Sequence, residues 1–123
     1  MDTEADRRRL LAALVRYEPP IAPLLNQLAL LPWDSTEELV RVGSADIVAI
    51  LDRFIDGELS ADQVTDWADL LEVRDDVGMD PRHGKALREI IFRLANPNLR
   101  DAISLALAVS IRIELLGVDR GTG

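Results

Sequence analysis

The chain has no cysteine, only one histidine and few aromatic side chains. Without cysteine there can be no disulfides, thiolate metal sites or cysteine nucleophiles. The lack of cysteine also fits a reducing compartment. The first residues are charged, and no apolar segment follows them as a signal peptide requires. We therefore predict a cytoplasmic protein.

Long hydrophobic runs and strand patterns are also missing. The longest apolar run, Ala102 to Ile111, is interrupted by two serines and is too short to span a bilayer. No segment alternates convincingly between apolar and polar residues, although Leu39 to Val42 could be extended. Aromatic residues make up 4% of the chain and hydrophobic residues 48%, so the core is aliphatic. This composition favours helices over a β-sandwich.

Apolar residues at three- and four-residue spacing predict an all-α fold, a compact bundle of about six helices in a single domain. We assign residues 1–117 to that domain and residues 118–123 to a frayed C-terminal tail beyond Gly117. A further short helical turn is expected to begin at Ser35. Caps and breakers delimit the main helices, which we predict at about 4–17, 21–31, 45–55, 60–74, 81–95 and 100–116. Ser44 is expected to cap the third helix, with Gly57 at its C′ position, and Ser60 and Gln63 form a capping box for the fourth. Asp80 and Pro81 are expected to open the fifth as N-cap and first helical residue.

Charge is distributed unevenly along the chain. Of the net charge of −8, residues 34–80 carry −11, from fourteen acidic and three basic residues. Such a block repels nucleic-acid phosphates and anionic membranes, and it attracts basic proteins. The sequence therefore predicts a basic protein as partner, and neither nucleic acid nor membrane.

The acidic segment LSADQVTDWADLLEVRDD contains six carboxylates and one arginine, Arg74. On a helix, Asp62, Asp66, Asp69 and Glu72 form a stripe at three- and four-residue spacing. The stripe fits an ordinary solvated face, internal pairing with arginines from the last third of the chain, or a docking surface for a cationic protein. For docking, the predicted partner-binding residues are Glu58, Asp62, Asp66, Asp69, Glu72, Asp76 and Trp33.

Each of the two tryptophans has two interpretations. Trp67 lies on the apolar side of the same predicted helix, with Val64 and Leu71. That position favours a core anchor over a binding hot spot. Trp33, between Pro32 and Asp34, is the better hot-spot candidate, with a lid over the core as its alternative.

Sequence motifs for catalysis are missing. There is no P-loop, no G-x-G-x-x-G and no G-x-S-x-G. One histidine without cysteine excludes the usual zinc ligand sets. The segment Asp52 to Gln63 fails as a calcium loop, since Phe54 and Gln63 occupy ligand positions. A divalent metal at Asp75, Asp76 and Asp80 is the remaining alternative. We predict no enzyme activity, no cofactor and no metal.

The segments GELSADQVTDWADLLEVRDDVGMD and LREIIFRLANPNL resemble small all-α bacterial immunity proteins of polymorphic and contact-dependent toxin systems. The resemblance covers about residues 46–99. It implies an acidic inhibitor that binds a basic toxin, such as a nuclease. Trp67, Arg74, Asp75 and Asn96 then have structural roles, with the Arg-Asp-Asp triplet as a salt bridge and cap.

The last predicted helix supports a different hypothesis. Its apolar residues cover most of its circumference, which is typical of a central core helix or of a helix that self-associates. The alternative function is therefore a non-enzymatic structural protein that forms a homodimer through residues 101–116.

Overall fold

The computed structural model describes residues 3–18, 21–30, 39–72, 74, 77–96 and 103–121. In these ranges the chain forms six helices and a minor two-stranded sheet, so the predicted all-α bundle is confirmed. In chain order the elements are α1 (Thr3–Arg16), α2 (Ile21–Ala29), β1 (Val40–Val42), α3 (Ser44–Ile55), α4 (Ala61–Glu72), β2 (Val77–Met79), α5 (Gly84–Ala95) and α6 (Leu105–Gly121).

The core lies where the helices pack in pairs. α4 packs on α5, α3 on α6 and α1 on α2, while α1 also contacts α3 and α4. Among the described residues, the largest fully buried side chain is that of Trp67, and most of the other buried side chains are aliphatic. On α1 and α5, the core positions predicted from helical spacing are buried. They are Leu10, Leu11, Leu14, Val15, Leu87, Ile90, Ile91 and Leu94.

The C-terminal carbonyls of α1 find their partners outside the helix. Tyr17, just past its end, adopts a left-handed φ of 51°. The Glu18 N–H donates to the Ala13 carbonyl (3.1 Å), and the Tyr17 N–H donates to the Leu14 carbonyl (2.9 Å). Arg53 Nη1 donates to the Arg16 carbonyl at 2.8 Å. The end of α1 is therefore held by its own turn and by a side chain from α3.

Local signals set the boundaries of α3 and α4, with one correction. The predicted cap Ser44 is inside α3, and Gly43 is the N-cap, its N–H donating to Asp46 Oδ2 at 2.8 Å. Gly57 follows α3 with a φ of 83°, as its predicted C′ role requires. The predicted capping box of α4 is present, since Ser60 N–H donates to Gln63 Oε1 (2.8 Å) and Gln63 N–H to Ser60 Oγ (3.2 Å).

The sheet was not predicted as a pair of strands. β1 and β2 are parallel, with Val40 opposite Val77 and Val42 opposite Met79. All three residues of β2 are buried. Three residues are too few to show an alternating pattern, and the pairing joins segments far apart in the chain, so only the tertiary fold reveals it.

α5 begins later than the sequence predicted. Asp80 and Pro81 were expected to open it, but they form a turn in which the His83 N–H donates to the Asp80 carbonyl at 3.1 Å. The Asp80 carboxylate accepts hydrogen bonds from the Arg82 backbone (3.0 Å) and guanidinium (2.9 Å). Because this turn occupies Asp80, the helix starts at Gly84, with His83 as its N-cap.

α6 has the predicted length of 17 residues but begins and ends about five residues later than predicted, and it is more exposed than a central core helix would be. It runs through Gly117, the predicted end, to Gly121. Its buried face, Ala108, Ile111 and Leu115, packs in the core. Leu105, Val109 and Ile113 are exposed. α6 is therefore a peripheral helix with one buried face, and a central core position is excluded.

Candidate protein-docking surface on α4

The outer face of α4 carries four carboxylates, Asp62, Asp66, Asp69 and Glu72, which we call the acidic stripe. All four are exposed, while Val64, Trp67, Ala68 and Leu71 on the opposite side are buried. This division follows from the 3.6-residue repeat, because the acidic and apolar positions occupy different sides of the helix. The helix therefore presents the carboxylates to solvent along its length.

Ion pairs in the described ranges lie elsewhere on the molecule. Arg112 pairs with Asp52 at 2.7 Å, which joins α6 to α3. Arg93 pairs with Glu114 at 3.7 Å, which joins α5 to α6. Within these ranges, no carboxylate of the acidic stripe forms an ion pair. For this part of the chain, the stripe's negative charge is not neutralised by arginines from the C-terminal third.

Glu58, the fifth described carboxylate of the predicted docking set, has a different environment. It is exposed and forms an ion pair with Arg53. Arg53 is also bonded to the carbonyls of Arg16 and Tyr17. Glu58 thus helps to orient the side chain that closes the end of α1, so its charge is less available to a partner than those of the acidic stripe.

Trp67 lies in the core. Its side chain is 0% exposed. Its Nε1–H donates to the Val15 carbonyl at 2.9 Å. Within α1 that carbonyl would take its hydrogen bond from residue 19, but Pro19 has no N–H to donate. Trp67 therefore supplies the missing donor and fixes α4 against α1.

Tyr17 lies near both Asp66 of the acidic stripe and Arg53, and sequence reasoning missed both Tyr17 and Arg53. Burial raises the pKa of the Tyr17 hydroxyl above its usual value; the negative charge of Asp66 raises it further, whereas Arg53 opposes the change. The only sequence signal was the two prolines after Tyr17, which mark the end of α1 without revealing what it contacts. The end of α1 thus lies beside α4 near Asp66.

Of the predicted structural residues, Arg74 and Asn96 can be described. Arg74 is half-buried just after α4, and its N–H donates to the Leu71 carbonyl at 3.3 Å. Asn96 is the C-cap of α5, and its Nδ2 donates to the Phe92 carbonyl at 3.0 Å. The remaining predicted site residues, Trp33, Asp75 and Asp76, lie outside the described residues.

The described ranges contain neither a metal-binding cluster nor a membrane span. Within them, no three His, Cys, Asp or Glu side chains lie close enough together to hold a metal ion. Of the alternative metal set, only Asp80 is described, and it binds Arg82. No helix in the described part of the chain has the length and apolar character needed to cross a membrane.

Comparison with known proteins returned no relatives: no family model matches the chain, and no curated protein or solved structure matches it significantly.

Proposed function

We propose that this protein is a non-enzymatic binding module that docks a cationic protein through the acidic stripe on α4. The observation that carries the proposal is the row of four exposed carboxylates without an ion pair among the described residues. Neighbouring like charges on a helix repel one another. Arginine and lysine side chains from a partner would remove this repulsion and form charge-assisted hydrogen bonds.

The chain's charge supports a basic protein as this partner. Residues 34–80 carry −11, so the field around the stripe favours encounter with a cationic surface and opposes polyanions. The resemblance to immunity proteins supports a more specific form of the proposal, an inhibitor that binds a basic toxin or nuclease in a bacterial cytoplasm.

The test is affinity capture from a lysate of the source organism at low and high salt, followed by calorimetry with the retained protein. We expect one basic protein, held less tightly at high salt because ions screen exposed charges. Replacing Asp62, Asp66 and Asp69 with Lys should abolish capture while the helical circular dichroism remains. Capture by that variant at the original strength would refute docking through the stripe.

A matched pair of variants separates local charge from net charge. Asp62→Asn, Asp66→Asn and Asp69→Asn together raise the net charge by three, as do Ala22→Lys, Asn26→Lys and Ala29→Lys on the exposed side of α2. The proposal expects a large loss of affinity in the first triple variant and a small one in the second. Equal losses would mean that net charge alone attracts the partner.

The second candidate function is self-association through α6, and the exposed Leu105, Val109 and Ile113 favour it. Their four-residue spacing places them on one side of the helix. Sedimentation equilibrium tests this function directly. A dimer that Val109→Arg dissociates would support it, while a monomer across the micromolar range would leave the acidic docking module as the function.

A further inference from the structure

A cavity of about 390 Å³ lies between α4, β2 and α5. Its floor is apolar, formed by Leu71 from α4, Val77 and Met79 from β2, and Ile91 from α5, all of them buried. The parallel pairing of β2 with β1 holds Val77 and Met79 at this floor. The packing of α4, β2 and α5 therefore forms the cavity, and each of these three elements contributes residues to its floor.

The rim combines charge with an exposed aromatic ring. Glu72, Arg74, Arg88 and Glu89 surround the opening, together with Phe92. Phe92 is 45% exposed, although the other large apolar residues of α5 are buried. An apolar floor inside a charged rim is the arrangement found at the centre of protein–protein interfaces, where one side chain of the partner is desolvated.

The cavity adjoins the acidic stripe. Glu72 belongs to both, and Asp69 precedes it by three residues, which places the Cβ atoms of the two residues about 5–6 Å apart on the helix surface. A side chain entering the cavity would therefore bring its neighbouring residues to Asp69 and Glu72. On the rim itself Glu72 and Glu89 are balanced by Arg74 and Arg88, so it is the adjoining acidic stripe that favours lysine or arginine at those neighbouring positions.

We propose that the cavity receives one apolar or aromatic side chain of the cationic partner, from a segment in which lysine or arginine flanks that side chain. The proposal rests on the proposed docking function. It adds to that function a buried side chain of the partner, which we call the anchor. Carboxylates give the partner its orientation and rate of encounter, while burial of the anchor slows its dissociation. The volume lies near the lower end of the range for binding pockets and suits a side chain better than a large cofactor.

The test titrates the isotope-labelled full chain with two peptides and follows backbone amide shifts by NMR. The first peptide is acetyl-Lys-Lys-Lys-Trp-amide, and the second replaces its tryptophan with alanine. We expect both to shift the amides of Asp66 and Asp69. Only the tryptophan peptide should also shift Val77, Met79 and Phe92, and its affinity should be at least about tenfold higher because an aromatic ring is buried.

The possible failures are distinguishable. Equal affinities with no shifts at the cavity would overturn the anchor and leave docking through the acidic stripe intact. If neither peptide shifts the stripe, the proposed function itself is wrong. If N-acetyltryptophanamide binds as tightly as the tryptophan peptide, the cavity is independent of the stripe, and the coupled anchor is overturned.

Two variants of matched exposure complete the design. Phe92→Ala removes the exposed ring at the rim, and Val109→Ala removes a side chain of similar exposure, 43%, from α6. We expect Phe92→Ala to weaken the tryptophan peptide by about threefold to tenfold without changing the alanine peptide. Val109→Ala should change neither. A tryptophan-peptide affinity that Phe92→Ala leaves unchanged contradicts the proposed anchor.

Discussion

Tyr17 occupies a backbone conformation that residues other than glycine rarely adopt. Its φ of 51° lets the chain turn back at the end of α1, and its ring is buried in the core. A left-handed conformation costs a non-glycine residue about 1–2 kcal/mol, so ring burial and the hydrogen bonds from Arg53 offset local strain.

We predict an inverted order of stability for small side chains at this position. Tyr17→Ala should lower the free energy of unfolding by about 3 kcal/mol, because the ring is lost and the strain remains. Tyr17→Gly should cost about 1 kcal/mol less than Tyr17→Ala, because glycine adopts this φ without strain. Urea denaturation measures both values. Ala49→Gly, at an exposed position inside α3, should show the usual order, with glycine less stable.

Asp80 makes the stability of the fold depend on pH in a defined range. Hydrogen bonds from Arg82 lower the pKa of Asp80 from 3.8 to about 2. In the unfolded chain the carboxyl regains its ordinary pKa, so between about pH 4 and pH 2 the unfolded state binds more protons. The contribution of Asp80 is therefore fully present above pH 4 and is lost as the pH falls through 2.

The corresponding prediction compares the wild type with Asp80→Asn by urea denaturation between pH 2 and pH 5. Wild-type stability should rise more steeply with pH in that range, because asparagine does not titrate. Arg82→Ala should flatten the profile in part, since it removes the guanidinium donor while the backbone N–H that also lowers the pKa remains. Parallel profiles for wild type and both variants would show that this pair does not contribute.

At the scale of the element, α4 has a well-capped N-terminus but an unfavourable pattern of charges along the helix. The Ser60–Gln63 capping box satisfies its first N–H groups. Asp62 lies in the first turn, where the helix dipole favours a negative charge. Asp69 lies in the second half, three residues from both Asp66 and Glu72. The carboxylates in the C-terminal part of the stripe therefore destabilise α4 as an isolated helix.

We predict that neutralising these two carboxylates changes stability in opposite directions. Asp62→Asn should destabilise the protein by about 0.5 kcal/mol through loss of the dipole interaction. Asp69→Asn should stabilise it by a few tenths of a kcal/mol through relief of repulsion. Thermal unfolding at low ionic strength measures both changes, and 1 M salt should shrink both because it screens exposed charges. Two changes of the same sign would contradict this account of α4.

The elements themselves show what local pattern can predict. The end of α1 lies just before Pro19, the end of α3 just before Gly57 and the start of α4 at the Ser60 cap, and these signals act within a few residues. The predicted start of α5 was wrong because Asp80 could either cap a helix or form a turn with Arg82. The sequence does not distinguish these two roles. β1 and β2 depend on each other across more than thirty residues, so neither could be predicted alone.

At the scale of the whole molecule, Trp67 connects elements that are distant in sequence. The last four carbonyls of α1 accept hydrogen bonds from Glu18, Tyr17, Trp67 and Arg53, so two of the four donors come from α3 and α4. Without the Trp67 donor the Val15 carbonyl would be unsatisfied in a buried setting. The position of the acidic stripe relative to α1 thus depends on a bond made by a core residue.

We predict that Trp67→Phe lowers the free energy of unfolding by about 3 kcal/mol. The change leaves a cavity and removes the donor for the Val15 carbonyl. Hydrogen exchange should accelerate in α1 and α4 together, since global unfolding becomes more accessible. Ile113→Ala on exposed α6 is the control and should stay within about 0.5 kcal/mol of wild type. Faster exchange confined to α4 would show that the two helices are not coupled through Trp67.

The sequence by itself determined the helical class, the apolar faces of α1 and α5, and the acidic face of α4. These follow from residue spacing and from capping side chains, which act over a few residues and are independent of the rest of the chain. It also determined the excess of negative charge, which no fold can change.

Only the tertiary structure decided how these faces meet. It paired β1 with β2, closed the end of α1 with Arg53 and Trp67, left one side of α6 exposed and opened a cavity beside Glu72. Each of these features depends on contacts between segments far apart in the chain. The free energy of those contacts comes from burial of apolar surface and from hydrogen bonds between distant donors and acceptors, which a local sequence pattern cannot predict.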